Sequence, residues 1–368
     1  MNRRGFLLAS AAAAPSLRAD EPVGTGFIGT GNRGSYLLRA TLAQPGVKVA
    51  AVCDIKPDRL DQAATSAGRD QPATFTDYRR LLERKDVGAV FIASPCDLHV
   101  EMAVAALEAG KHVYCEKPAG ITPESIGRLV RAAKASRTVY QVGQQMRADA
   151  KLQKTIARIH DGIAGKLIMA KAQRHAGEDL DHEGPSKDWF FNAQRSGDVI
   201  VEMAVHNLDE CNWAIGSRPD RAGGFGGALL WKDDPPGRTN MDGYTLSYDY
   251  ANGVKLSFTQ VFFHPDRMPN GGQYLHVYGV QGAVDVDAGM FYPSARGAAP
   301  VALLTPEERQ AKPMDDAHIA GFLECIRTGA KPVAGIEVGA TAALTAILGR
   351  EAIYQKKVVT WQDLGVEI

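Results

Sequence analysis

The apolar run Val23–Ile28 breaks into Gly29-Thr30-Gly31-Asn32-Arg33-Gly34, and Asp54 stands 20 residues beyond the last of these glycines. Glycines at this spacing let a chain turn tightly from a strand into a helix. The backbone there can approach a pyrophosphate, whose charge is met by free N–H groups at the helix N-terminus. Asp54 closes a second strand-like run, 48–53, where a carboxylate accepts both hydroxyls of an adenosine ribose. Strand, glycine turn, helix and distant acid together predict a dinucleotide-binding unit, with Gly29, Gly31, Asn32, Arg33, Gly34 and Asp54 as its cofactor contacts. A carboxylate repels a 2′-phosphate, so NAD is expected rather than NADP, although Lys56 works against that preference.

The first residues have a different character. Asn2-Arg3-Arg4-Gly5-Phe6-Leu7-Leu8, followed by the small apolar stretch 9–14, reads as a twin-arginine signal, residues 1–19, cleaved after Ala19 or Ala14. Its apolar part is too short to span a bilayer, so no membrane anchor is expected after cleavage. Twin-arginine export carries folded proteins, and a periplasmic or otherwise exported protein with its cofactor already installed is the expectation. The rest of the chain suits two domains. Lys plus Arg and Asp plus Glu both total 42, with no long basic run, which argues against nucleic acid and anionic membranes as partners. Cysteines 53, 96, 115, 211 and 325 lack C-x-x-C spacing and read as core thiols.

Strand-like runs at 25–28, 47–53, 89–93, 112–115 and 139–142 alternate with helical patterns. One of these, 98–109, is stopped by Gly110; another starts at Thr122-Pro123-Glu124, an N-cap, a proline at N1 and a first-turn acid. Such alternation predicts an α/β Rossmann domain with a parallel sheet over residues 22–145. Beyond it come a helix at 152–161, a strand at 167–173, a polar loop at 175–187 and a helix near 200–215. Strands at 244–250, 254–263, 274–280 and 283–286 follow, the first two joined by an Asn252-Gly253 hairpin. Residues 146–312 are therefore expected to form an α+β domain with a large open, mostly antiparallel sheet. The helices of 313–368 are expected to pack back on the core. Asp233-Asp234-Pro235-Pro236-Gly237 is the one turn-rich stretch suited to a mobile lid.

The strand 112–115 runs directly into Glu116-Lys117-Pro118. Ligands of open parallel sheets bind beyond the carboxyl ends of the strands, so Lys117 is expected where nicotinamide and substrate meet. Partial desolvation there would lower its pKa and suit it to polarising an oxygen. Ser94-Pro95 ends the preceding strand and His99 follows one turn later, as contacts to the nicotinamide ribose. If 197–209 is helical, Glu202 and His206 share a face, and the carboxylate can orient the imidazole and raise its basicity. His206 then accepts an alcohol proton; the plainer reading is a solvated Glu–His pair. His175, Glu178, Asp179, Asp181, His182 and Glu183 crowd one loop without regular ligand spacing, and no metal is expected. Arg147, Trp189 and Asp209 are candidate substrate contacts, although Trp189 with Phe190 and Phe191 also suits core packing.

Together these segments resemble the glucose–fructose oxidoreductase/inositol dehydrogenase (Gfo/Idh/MocA) family, from Val23 to the C-terminus. The marks are the glycine turn with Asp54, Ala93-Ser94-Pro95, Glu101-Met-Ala-Val-Ala-Ala-Leu-Glu-Ala-Gly-Lys-His112, Glu116-Lys117-Pro118 and Phe322-Leu-Glu-Cys-Ile-Arg-Thr-Gly329 with Pro332 beyond it. The resemblance implies that Lys117 assists catalysis, that Glu116 lies near the nicotinamide ribose and that His206 accepts the proton. It further implies a small carbohydrate substrate and a homodimer or homotetramer formed through the second sheet. One departure stands out: Glu202 occupies the position, four residues before the histidine, where the family's dehydrogenases usually have aspartate. The His-Gly-Leu-Gly-Pro stretch of the family's N-acetylgalactosaminidases is also missing. The expected activity is NAD-dependent oxidation of a secondary hydroxyl of a sugar, sugar derivative or cyclitol, the cofactor tightly held. The alternatives are glycoside cleavage through transient oxidation, and a sugar- or nucleotide-binding protein without turnover.

Overall fold

The apolar runs of the first half become β1 (Val23–Ile28), β2 (Val47–Cys53), β3 (Ala73–Phe75), β4 (Ala89–Ile92), β5 (His112–Cys115) and β6 (Tyr140–Val142) in a computed structural model. The structure describes residues 21–177, 187–265, 267–268, 272–310 and 313–368. The six strands lie in the order β3-β2-β1-β4-β5-β6, every pair parallel. Both faces of this sheet are covered, which is why β4 is buried along its whole length and reads as a continuous apolar run. Strand order reverses beside β1, and the crevice beyond the carboxyl ends of β1 and β4 is where such a sheet takes a ligand.

The second sheet has nine strands. They are β7 (Leu167–His175), β8 (Pro219–Gly227), β9 (Gly243–Tyr250), β10 (Lys255–Val261), β11 (Gln273–Gly279), β12 (Gly282–Asp285), β13 (Met290–Pro293), β14 (Val301–Ala302) and β15 (Val359–Thr360). Their order is β14-β13-β12-β11-β7-β10-β9-β8-β15, antiparallel except for the β7–β10 pair. Alternation sets the faces: Tyr244, Leu246, Tyr248 and Tyr250 of β9 point inward, while Thr245 and Ser247 point out. The fold is thus a parallel Rossmann sheet followed by a large, mostly antiparallel one, as the sequence predicts.

Helix Ile336–Tyr354 joins the two. From Gly339 to Gly349 it carries no charged residue and is buried at every position but Thr341, because both domains cover it there. The Cα of Gly339 faces Val142 and Ala119 of the first domain, while Gly349 lies against Tyr248 and Leu246 of the second sheet. Helix Met314–Thr328 packs Ile319, Phe322 and Leu323 against Phe27, Phe91 and Tyr114 of the first sheet, the Phe322 ring 5.6 Å from Phe91.

The unbroken helix expected around 200–215 is two helices, Val199–Glu202 and Val205–Ile215. In a continuous helix the Glu202 carbonyl would accept from the N–H of His206. Here it accepts from the Lys117 ammonium at 2.6 Å, and the chain turns at Met203-Ala204.

Candidate active site

The glycine turn is closed by contacts that only glycine allows. Gly29 has φ +82°, and a Cβ on Gly34 would lie 1.9 Å from the Gly29 carbonyl oxygen. Helix Asn32–Leu42 then begins at Gly31 with no side-chain cap, so its first N–H groups are presented for an anion. Asp54 is built into the same turn. Its carboxylate accepts from the Thr30 N–H at 2.7 Å and hydroxyl at 3.2 Å, and from the Lys56 N–H at 2.9 Å. A cradle bounded by bare glycine backbone, a helix N-terminus and a carboxylate at the end of β2 fits a dinucleotide.

Arg33, expected as a cofactor contact, reaches in two directions. Its Nε donates to Glu116 at 2.7 Å and its Nη2 to Asp315 at 2.6 Å, tying the glycine turn to the end of β5 and to helix Met314–Thr328. Asp315 escaped sequence reasoning because it lies 282 residues from Arg33 and carries no local motif. Glu116 is buried, and Gly143 leaves it room: a Cβ there would meet the carboxylate at 2.7 Å.

Lys117 emerges beyond β5 and meets Glu202 twice, through the carbonyl oxygen and through an ion pair with the carboxylate. This changes two expectations. Burial does work to lower the lysine pKa, but Glu202, Cys96 and Glu116 outweigh it and hold the ammonium above its ordinary value. Lys117 is therefore a fixed cation and hydrogen-bond donor. Glu202 does not pair with His206 either, since Lys117 has captured its side chain. His206 sits in the first turn of helix Val205–Ile215, its Nδ1 enclosed and without a partner among the described residues. Burial first, then the charges of Lys117, Arg174 and Arg33, push the imidazole well below its ordinary pKa. The helix N-terminus acts in the same direction. The site thus pairs a neutral imidazole with a charged ammonium.

Other expected contacts take different roles. Ser94 and Pro95 lie half-buried at the end of β4. His99, by contrast, is buried with Nδ1 2.9 Å from the Pro118 carbonyl and Nε2 2.9 Å from the Ser94 carbonyl. Burial keeps the ring neutral, so its single N–H donates to one of the two carbonyls, and the enclosed imidazole braces the rim from behind. Arg147 and Asp209 satisfy each other: Nε and Nη2 donate to the two carboxylate oxygens at 2.9 and 2.7 Å, with the guanidinium 4.8 Å over the Trp213 ring. They form a buried clamp between residues 145–148 and helix Val205–Ile215. Removing one partner strands a buried charge, so R147A should lose about 3–5 kcal/mol of stability by denaturant titration. Trp189 is half-buried, edge-on to Phe190 at 5.8 Å, and rests on the core.

Gln144 was not foreseen. It follows Gly143, is 1% exposed, and neither amide atom has a partner among the described residues. Its only sequence signal is its position just past β6. Of the crowded acidic and histidine loop, residues 178–186 lie outside the described residues. His175 faces the Thr259 hydroxyl at 2.9 Å, and no cluster able to hold a metal occurs among the described residues.

Residues 23–144 match the model of an oxidoreductase family with an NAD-binding Rossmann fold, and residues 152–285 match the GFO/IDH/MocA C-terminal domain. A glycosyl hydrolase family 109 protein of Saccharopolyspora erythraea is 35% identical over 161 residues, 42% of this chain and 35% of that protein. An inositol 2-dehydrogenase/D-chiro-inositol 3-dehydrogenase of Lactiplantibacillus plantarum is 31% identical over 194 residues, 52% of this chain and 51% of that one. The chain spans about half the length of the curated relatives it matches. Among solved structures, levoglucosan dehydrogenase in complex with NADH and levoglucosan shares the fold at a TM-score of 0.79 and 20% identity, over 92% of this chain and 99% of that one.

Proposed function

The chain belongs to the Gfo/Idh/MocA family of NAD-binding oxidoreductases, and from that membership we propose that it oxidises a secondary hydroxyl of a sugar, sugar derivative or cyclitol. The observation that carries this reading is the geometry beyond β5, where Lys117 is held by both the carbonyl and the carboxylate of Glu202 and the buried His206 keeps an Nδ1 without a partner among the described residues. When bound, the nicotinamide supplies the acceptor for the hydride that leaves the alcohol carbon. His206 takes the hydroxyl proton on a ring nitrogen as the carbonyl forms. Lys117 has three N–H donors; Glu202 accepts two through its carbonyl and carboxylate, and the third is left for the substrate oxygen. Glu202 thereby aims the ammonium.

Two further parts of the proposal rest on sequence. Arg3-Arg4 supports export, and outside the cytoplasm the cofactor has to be held and regenerated in place. Asp54 supports NAD over NADP. A homodimer or homotetramer is supported by the outer face of the second sheet, which exposes Met169, Phe225 and Val358. Protein purified without added nucleotide and then denatured should release near-stoichiometric NAD(H). An empty protein that binds NAD reversibly would overturn the tightly held cofactor.

A second reading is favoured by the relatives named as glycosyl hydrolase family 109 proteins. In it, transient oxidation acidifies the neighbouring C–H, loss of that proton expels the glycosidic leaving group, water adds across the resulting double bond, and return of the hydride to the sugar carbonyl regenerates NAD+. Aryl glycoside cleavage that requires NAD but yields no net NADH would support it over the first.

A further inference from the structure

Among the buried carboxylates that the chemistry above leaves unused is that of Asp198. The residue is 0% exposed and sits at φ 78°, ψ 159°, a backbone region that suits glycine. Such strain persists only where the surroundings over-determine it. A glycine would adopt this conformation freely, so what the position gains from aspartate is its side chain. That carboxylate is fully engaged. One oxygen accepts from the Val199 N–H at 2.7 Å, the Met241 N–H at 2.9 Å and the Tyr244 hydroxyl; the other accepts from the Tyr354 hydroxyl at 2.5 Å. The donors come from the turn itself, from β9 and the approach to it, and from the end of helix Ile336–Tyr354. On the preceding residue, Arg350 Nη1 donates to the Gly197 carbonyl at 2.9 Å and also to that of Ile121 at 3.0 Å.

The turn that carries Glu202 hangs from this anchor. The Asp198 carbonyl accepts from the N–H of Val201 at 3.0 Å and of Glu202 at 2.9 Å. One residue thus holds the amide of Glu202, while the Glu202 carbonyl and carboxylate hold the Lys117 ammonium. We propose that Asp198 is a positioning residue for the Lys117–Glu202 pair, setting the single turn Val199–Glu202 so that both oxygen groups of Glu202 close on the ammonium. The groups that interact with the Lys117 charge are Glu202, Cys96, Glu116, His206 and His99, and of the acids among them only Glu202 rides on the turn that Asp198 anchors.

The test reads the ion pair and not turnover, so its outcome is separable from whether the chain oxidises a sugar. Protein labelled with [13C]lysine and saturated with NAD+ is titrated by NMR, the Lys117 Cε resonance being assigned by its loss in K117R. D198G, which accepts the backbone conformation but removes the anchor, should lower the Lys117 midpoint by about one unit or more. D198N keeps an acceptor for the Val199 and Met241 N–H groups and should return most of the wild-type midpoint. Y354F should shift it less, in the same direction. Circular dichroism and NAD affinity report whether each variant is folded. If D198G does not fold, Y354F decides. A wild-type Lys117 midpoint in folded, NAD-binding D198G, or in Y354F where D198G fails, would overturn the proposal and leave Asp198 a purely structural anchor.

Discussion

Replacing Lys117 with methionine should lower turnover by about 10²–10³-fold while NAD still binds. Methionine fills most of the space of the lysine side chain but supplies neither charge nor donor. The loss arises because the developing negative charge on the alcohol oxygen is met by an ammonium already oriented by Glu202, with no reorganisation needed during the reaction. The glycine turn, Asp54 and the uncapped helix Asn32–Leu42 lie on other strands and keep their own contacts, so cofactor affinity should change little. Cofactor titration by nicotinamide fluorescence and a single-turnover rate on the same sample separate the two effects. Full turnover in K117M would remove Lys117 from the chemistry.

H206N should cost about 10²–10⁴-fold and should also change the shape of the pH profile. The sign follows from the environment. A pKa below the ordinary imidazole value of 6.5 keeps His206 in its base form to lower pH, so the acid limb of kcat/KM in the wild type should fall below 6.5. A lysine held above its ordinary 10.5 keeps its proton to higher pH, so the alkaline limb should lie beyond 10.5. The plateau between them is therefore wider than free histidine and lysine would give. In H206N the acid limb attributed to the imidazole should disappear while the alkaline limb stays. An acid limb that survives unmoved in H206N would assign it to another group.

Much of the first domain was legible because its physics is local. Glycines that close a turn, an acid at the end of the next strand and an apolar run that empties into Glu116-Lys117 all declare themselves within a few dozen residues. The hairpin at Asn252-Gly253 is equally local, and it joins β9 to β10. Strand β8 was not legible: Pro219–Gly227 carries four glycines, and its pairing with β9 leaves no space for side chains at Gly224 and Gly226. Helix periodicity through 200–215 misled for a definite reason. The chain leaves the helix at Glu202 because a lysine 85 residues away takes the carbonyl that would have continued it. The same long-range contact moved Glu202 from the imidazole to the ammonium and reversed the expected direction of the Lys117 shift. Arg147 with Asp209, and Arg33 with Asp315, are likewise pairings across distant segments that no local pattern encodes.

The most direct measurement is the nicotinamide absorbance of NAD-saturated protein mixed with a panel of cyclitols, aldoses, anhydrosugars and glycosides, read within a single turnover. The proposed oxidation requires that at least one secondary alcohol reduce the cofactor in wild type, and that the signal be lost in H206N with cofactor still bound. Sugar binding detected by calorimetry, with no reduction of the nicotinamide by any member of the panel, would contradict it and mark the chain as a binding protein on an oxidoreductase fold.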